Sequence, residues 1–365
     1  MKKIQWKKWY PTSVSFILLF CLLMGCSQST TGTDATKTKD GAQATGQTSQ
    51  ETKSKMEKIE ITVTHYPTGF YSLPYEVGID QGFFKEESIE IAGIIPGTGG
   101  GTTVRNVLSG KLPFGDVATS AAVQSYLSGA PLVIVGGSVQ TFNDAAYITR
   151  KDAPFNNIKD LVGHTWAYTN PGSTTQAASH LILEKAGIDP NQLKAVSSGG
   201  LNEGKTLLEK GGIDATVQLE PLLTIEKDKY KTLFRIGDYL PKFQQSVIIA
   251  SPQLIKENPE LVKRFLRVYD KSVKWIYEHQ EEAGKIFAKY AEIDEKASIS
   301  AVSELAKRKH WSVTIDAEAI NSVLKGMKYL GTFKEGTEIP WKELLNQDFI
   351  PTQQKLDVST LLGNK

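Results

Sequence analysis

Residues 96–103 read PGTGGGTT and residues 170–175 read NPGSTT, the same kind of Gly/Ser/Thr turn met twice in one chain. Each follows an apolar, strand-like run, IEIAGII at 89–95 and HTWAYT at 164–169, and each leads into helical spacing, VRNVLSG at 104–110 and QAASHLILEKAG at 176–187. A strand, a tight turn and a helix gather several backbone N–H groups that have no intrahelical acceptor. The helix macrodipole adds partial positive charge at the same point. Both turns are therefore expected to be anion-receiving helix ends. The first is not a P-loop, because no Lys follows the glycines in the required position.

Outward from these turns, strands and helices alternate. IEITVT at 59–64 alternates as a strand, and after the loop HYPTGFYS, Pro74 opens a helix that is expected to end at Gly82. FGDVA, TSAAVQSYLSG and PLVIVGG then read as strand, helix and strand. The alternation restarts with HTWAYT and continues through LKAVSS, a helix at 202–210, DATVQ and TLFRI. Such a pattern predicts an α/β fold with largely parallel sheets. It divides into two lobes, each a mixed sheet flanked by helices, with a ligand cleft between them: residues 58–145 with 246–365, and residues 150–237. Two short crossings, near Asp144–Lys151 and Pro241–Ser246, would serve as a hinge. From SVIIASP at 246–252 onward the chain reads as mostly helical. One stripe holds Leu261, Phe265, Val268 and Ile276, interrupted by Ser272; another follows the N-cap Asp316 with Ile320, Val323, Leu324, Met327 and Leu330. These helices read as packing.

The start of the chain has another character. Lys2, Lys3, Lys7 and Lys8 precede the apolar run VSFILLFCLLM at 14–24, the layout of an export signal over residues 1–25. The run ends LLMGCS, which resembles a bacterial lipobox with Cys26 as the lipidated first residue of the mature chain. Met24 departs from the smaller residue usual there. Residues 26–57 are polar and cannot bury enough apolar surface to order themselves, so a flexible tether is expected, roughly 30 Å in mean span. Without residues 1–25, 38 basic residues face 40 acids, a net charge of −2 in place of +2. The basic excess thus belongs to the signal and argues against a nucleic-acid partner. Of two cysteines, Cys21 lies in the signal and Cys26 is the lipid carrier, so no disulfide, cysteine nucleophile or cysteine-bound metal is expected.

Several ordered pieces carry a family likeness: GIDQGFFKEESIEI, VLSGKLPFGDVATSAAVQSYLSGAPLVIVGG, IKDLVGHTWAYTNPGSTTQAASHLILEKAGIDP, GGIDATVQLEP and SPQLIKENPELVKRFL. Together they resemble the solute-binding lipoproteins of bacterial ABC importers, in the group that handles nitrate, aliphatic sulfonates, taurine and thiamine-pyrimidine precursors. The resemblance implies a two-lobed periplasmic-binding-protein-like fold (type II) and an extracytoplasmic, lipid-anchored location. It also implies delivery of a small solute to a membrane permease, with the protein acting as a monomer without cofactor or metal. Related pyrimidine-precursor synthases share the architecture, but need a metal-linked histidine and a cysteine-rich motif. His65, His164, His180, His279 and His310 show no metal-ligand spacing, and a binder rather than an enzyme is expected. Trp166 and Tyr168 stand where the family often has small aliphatics.

In open α/β sheets ligands sit at the carboxyl ends of the strands. His65, Tyr66, Phe70 and Tyr71 follow the first strand; Tyr66, nearest its end, is the preferred aromatic, either stacking on a ligand or packing the loop. Thr98, Gly99 and Gly100 offer a hydroxyl and unobstructed amides. Thr119 and Ser120 begin a third helix and either bind or cap. Asn170, Gly172, Ser173 and Thr174 form the second turn. Glu220, with Gln218 beside it, is an acid near two anion-favouring helix starts. It binds a cationic end of the ligand, or it is a helix-start acid or a latch between lobes. With Glu220 the ligand is an aminosulfonate such as taurine; an aminopyrimidine stacked on Tyr66 competes; a plain alkanesulfonate or nitrate leaves Glu220 unused.

Overall fold

The computed structural model describes residues 55–332, 336–351 and 355–364. The expected signal, Cys26 and nearly all of the tether lie outside the described residues. Among those described, the strands are β1 (Glu57–Thr64), β2 (Ile89–Gly97), β3 (Phe114–Ala118), β4 (Val133–Gly137), β5 (Ala145–Arg150), β6 (Thr165–Tyr168), β7 (Lys194–Ser197), β8 (Ala215–Leu219), β9 (Tyr230–Arg235) and β10 (Ser246–Ala250).

They form two five-stranded sheets on one plan, ordered β2-β1-β3-β10-β4 and β7-β6-β8-β5-β9. In the first, β1 runs parallel to β2 and β3; in the second, β6 runs parallel to β7 and β8. One antiparallel strand then separates the parallel set from the outermost strand, β10 in the first sheet and β5 in the second. Each of these strands begins directly after the chain has passed from one sheet to the other, through residues 138–144 and 240–245. The first passage therefore lies earlier than the expected Asp144–Lys151. AAYITR at 145–150 is β5, and residues 145–149 are all buried. A strand buried on both faces does not alternate, and its sequence gives no period-two signal.

Helices α1 (Leu73–Asp80), α2 (Phe83–Glu86), α3 (Gly100–Leu108) and α4 (Thr119–Leu127) accompany the first sheet; α5 (Thr174–Ala186), α6 (Leu201–Glu209), α7 (Leu222–Ile225) and α8 (Ile236–Tyr239) accompany the second. Pro74 lies in the first turn of α1 and the helix ends at Asp80 with Gly82, at φ 76°, as the left-handed residue just past its cap, both as expected; the chain then turns directly into α2. The later helices are α9 (Pro252–Glu257), α10 (Pro259–Glu278), α11 (Gln280–Ala291), α12 (Glu295–Lys307), α13 (Ala317–Tyr329) and α14 (Trp341–Leu344). On α10, Phe265 stacks on Phe114 of β3 with ring centroids 3.9 Å apart, which seats the helix on the first sheet. Ser272, which interrupts that stripe in sequence, is buried with it. Asp316 caps α13 by accepting from the Ala319 amide at 3.0 Å. This helix does not belong to the first lobe alone: a Cβ at Gly326 would stand 2.8 Å from that of Ala177, so α13 lies directly on α5.

Candidate functional site

Three helices start at the carboxyl ends of parallel strands: α3 after β2, α4 after β3 and α5 after β6. Their N-termini converge on one cavity of about 380 Å³. Gly100 makes the convergence of α3 and α4 possible, since a Cβ there would fall 2.3 Å from the Ala121 Cβ. The α4 and α5 starts meet across the lobes, where the Ser120 and Thr174 hydroxyls lie 3.3 Å apart. Gly172, at φ 74°, brings the second turn against Gln124; a Cβ there would be 3.2 Å from Oε1.

The two turns picked out in the sequence thus face the same space. Thr98, Gly99, Ser120, Asn170, Gly172, Ser173 and Thr174 all line it, with Gly100. Their donors are not equally free. The Gly172 amide donates to Gln176 Oε1 at 2.7 Å, and the Ser173 hydroxyl caps α5 by accepting from the Gln176 amide at 3.2 Å. The amides of Gly100 and Gly101 on α3, and of Thr174 and Thr175 on α5, make no such bond among the described residues. Neither α3 nor α4 has a side-chain cap; α3 keeps its Gly100 and Gly101 amides available, whereas on α4 the Thr119 amide is already taken.

Five candidate residues fall outside the lining, each for a local reason. Tyr66 packs at the edge of the first lobe's apolar cluster, while His65 and Tyr71 take the cavity wall. Phe70 is core, against Phe287 at 4.2 Å between centroids. The Thr119 hydroxyl is enclosed, and its amide donates to the Gln245 carbonyl at 3.1 Å. Gln218 faces away because neighbouring strand residues point to opposite sides; Leu219 reaches the cavity, and Gln218 Nε2 donates to the Leu201 carbonyl at 2.7 Å. Glu220 takes the helix-start alternative. Its Oε1 accepts from Arg235 Nη2 at 2.8 Å, and its Oε2 accepts from the Thr224 amide at 3.0 Å and hydroxyl at 2.9 Å. The carboxylate is consumed by an ion pair and by the start of α7. Trp166 is also core, stacked on Tyr147 at 4.5 Å.

Sequence reasoning missed Arg105, Gln124, Phe142, Leu201, Leu219 and Gln245, all of which line the cavity. Arg105 is the lining's permanently charged side chain, and no Asp or Glu is among the lining residues. His65 is held below the usual imidazole range by burial, which favours its neutral form. Acids stand behind the wall instead. Asp116, accepting from the Tyr75 hydroxyl at 3.0 Å and from Ser138, is pushed up to about 7 by burial. Asp144, at the end of the first passage, accepts at Oδ1 from Gln245 Nε2 of the second passage at 2.9 Å, and burial pushes it up to about 7 as well. This bond ties the two passages together at the cavity's back. His310, bonded through Nδ1 to Thr141 at 2.8 Å, is pulled down to about 3 by burial and is neutral.

Two matched sheets of order 2-1-3-n-4, joined by two short passages around a shared cavity, define the periplasmic-binding-protein-like class of folds. Residues 69–283 match the profile of the family described as NMT1/THI5 like, and the chain belongs to that family. A Bacillus subtilis protein named for aliphatic sulfonate binding is 23% identical over 228 residues, 61% of this chain and 68% of the relative. A 4-amino-5-hydroxymethyl-2-methylpyrimidine phosphate synthase of Candida albicans is 25% identical over 228 residues, 58% of this chain and 66% of the relative. The chain thus spans about two thirds of the length of these curated relatives. Among solved structures, the periplasmic aliphatic sulphonate binding protein of Escherichia coli superposes with a TM-score of 0.63 at 16% identity, covering 82% of this chain and 94% of that one.

Proposed function

We propose that the protein is the extracytoplasmic solute-binding component of an ABC importer and that its solute is a small organic anion of the sulfonate class. One observation carries this reading: the amide-rich starts of α3, α4 and α5 enclose a cavity whose lining holds a cation and no carboxylate. A helix terminus contributes roughly 0.3–1 kcal/mol to an anion at a surface and up to about 2 when partly buried. Three of them are enough to select charge. Tyr71, Phe142, Leu201 and Leu219 give the same cavity an apolar side for a carbon chain. Because Glu220 is spent on Arg235, an amine on the ligand gains no partner there, and an alkanesulfonate fits better than taurine. The two passages act as the hinge, and closure removes water from the donors, so a ligand that prefers the closed form shifts the population toward it. Lipidation at Cys26 and the polar tether would hold the protein at the membrane beside its permease, where it works as a monomer and binds without chemistry.

The test is calorimetric titration of the 55–365 fragment with propane-1-sulfonate, taurine, nitrate and 4-amino-5-hydroxymethyl-2-methylpyrimidine, with chemical recovery of each compound. Saturable binding of the sulfonate and its recovery unchanged support the reading. Binding of the pyrimidine alone would replace it, and conversion of a compound would make the protein an enzyme. Metabolic labelling with a fatty acid, lost in Cys26→Ala, checks the anchor.

A further inference from the structure

The cavity's one permanent positive charge is oddly placed for a single-headed anion. Arg105 lies on α3, and its guanidinium folds back over the first turn: Nη2 donates to the Thr102 hydroxyl at 3.0 Å, and a Cβ on Gly101 would be 3.5 Å from Nη1. The Thr102 hydroxyl in turn lies 3.3 Å from that of Thr98. Arg105 itself stands in the last turn of α3, where the macrodipole favours a cation, and its exposed side chain reaches back along the helix to the cavity rim. No carboxylate is recorded as its partner among the described residues. The unbonded amides at the starts of α3 and α5 offer donors to one anionic head without it. A one-charge head group held by those amides leaves the exposed guanidinium at the rim free for a second anionic group.

Resting on the sulfonate reading above, we propose that the ligand carries a second anionic group, a carboxylate, and that Arg105 is the residue that selects it. The solute class is then the sulfo-carboxylates: the sulfonate takes the helix starts and the carboxylate takes the planar fork of Arg105, a pairing that guanidinium geometry favours over an ammonium.

The experiment titrates the wild-type fragment, Arg105→Gln and Arg105→Lys with 3-sulfopropanoate, its neutral primary amide 3-sulfopropanamide, and propane-1-sulfonate. A charge-assisted pair predicts that wild type prefers the dianion to the amide by roughly tenfold to a hundredfold. Arg105→Gln should abolish that preference and weaken propane-1-sulfonate much less than 3-sulfopropanoate, and Arg105→Lys should keep part of it. Wild-type binding of propane-1-sulfonate with no preference for 3-sulfopropanoate overturns the proposal and leaves the sulfonate reading standing. Equal losses for all three compounds in Arg105→Gln also overturn it, because Arg105 would then serve the sulfonate head itself. Failure of wild type to bind any of the three ends both.

Discussion

Glu220→Gln separates a structural acid from a ligand-binding one. The Glu220 side chain is 4% exposed and that of its partner Arg235 is 33% exposed, so the pair is buried on one side and wet on the other. Removing one member of a fully buried pair costs about 3–5 kcal/mol. The exposure of Arg235 lowers that figure through solvent screening. The glutamine retains an acceptor for the Thr224 amide and hydroxyl, and sets an amide or a neutral oxygen against the guanidinium. The expected loss is therefore about 2–3 kcal/mol, with the main contribution from the lost charge-assisted bond. For a domain of this size, roughly 2 °C of melting temperature accompanies each kcal/mol, which gives a fall of about 4–6 °C. Thermal and urea unfolding of the fragment read it directly. The same preparation, titrated with propane-1-sulfonate and taurine, should bind both as wild type does, within about twofold. A variant that melts unchanged but loses taurine selectively would falsify the assignment and return Glu220 to the cavity as an amine receptor.

Gly100→Ala places a methyl 2.3 Å from the Ala121 Cβ and must push α3 from α4; it should cost about 1–3 kcal/mol of stability and weaken sulfonate binding more than tenfold by spreading the amides, with calorimetry and thermal melting as the two readouts. Stability should fall as pH rises from about 5 to 8. Burial pushes Glu76 up to about 8 and Asp116 and Asp144 up to about 7, so the folded state holds protons that the unfolded chain releases near its ordinary carboxylate values. Their contribution is complete below those ordinary values and is lost as pH climbs through the folded ones. His310 has the opposite sign, its contribution being complete above its ordinary value and lost as pH falls toward about 3, but it is one group against three. Both Glu76 oxygens are buried without a hydrogen-bond partner among the described residues, so Glu76→Gln should flatten the slope and stabilise the protein at pH 8, measured as urea midpoints across the range.

Local chemistry was legible and long-range chemistry was not. The two Gly/Ser/Thr turns are strand–turn–helix signals written in consecutive residues, and both reach the cavity where that logic places them. Strand β5 escaped because burial on both faces removes alternation. Glu220 satisfied every local rule for a site acid, yet its partner Arg235 comes from the end of β9, which no local rule connects to it. Arg105 stood in a quoted helix and carried no signal, because its meaning depends on the guanidinium folding back toward Gly101. Gln245 is a site residue through topology alone: β10 returns to the first sheet after the entire second lobe has been built.

The same topology explains how the proposed anion cavity coexists with two acids close behind it. Both Asp116 and Asp144 act on the Tyr71 hydroxyl, whose ring lines the cavity, so ionised they would oppose any anion held there. Burial resolves the conflict. It pushes both carboxyls up to about 7, which keeps a large share protonated near neutrality. A protonated Asp144 carries no charge toward the ligand while remaining hydrogen-bonded to Gln245 across the two passages. The acids thus serve as polar joints at the point where the lobes meet, and the field inside the cavity is left to the helix starts and Arg105. On the proposed reading, selectivity of this cavity for an anion depends as much on where carboxylates are hidden as on where donors are shown.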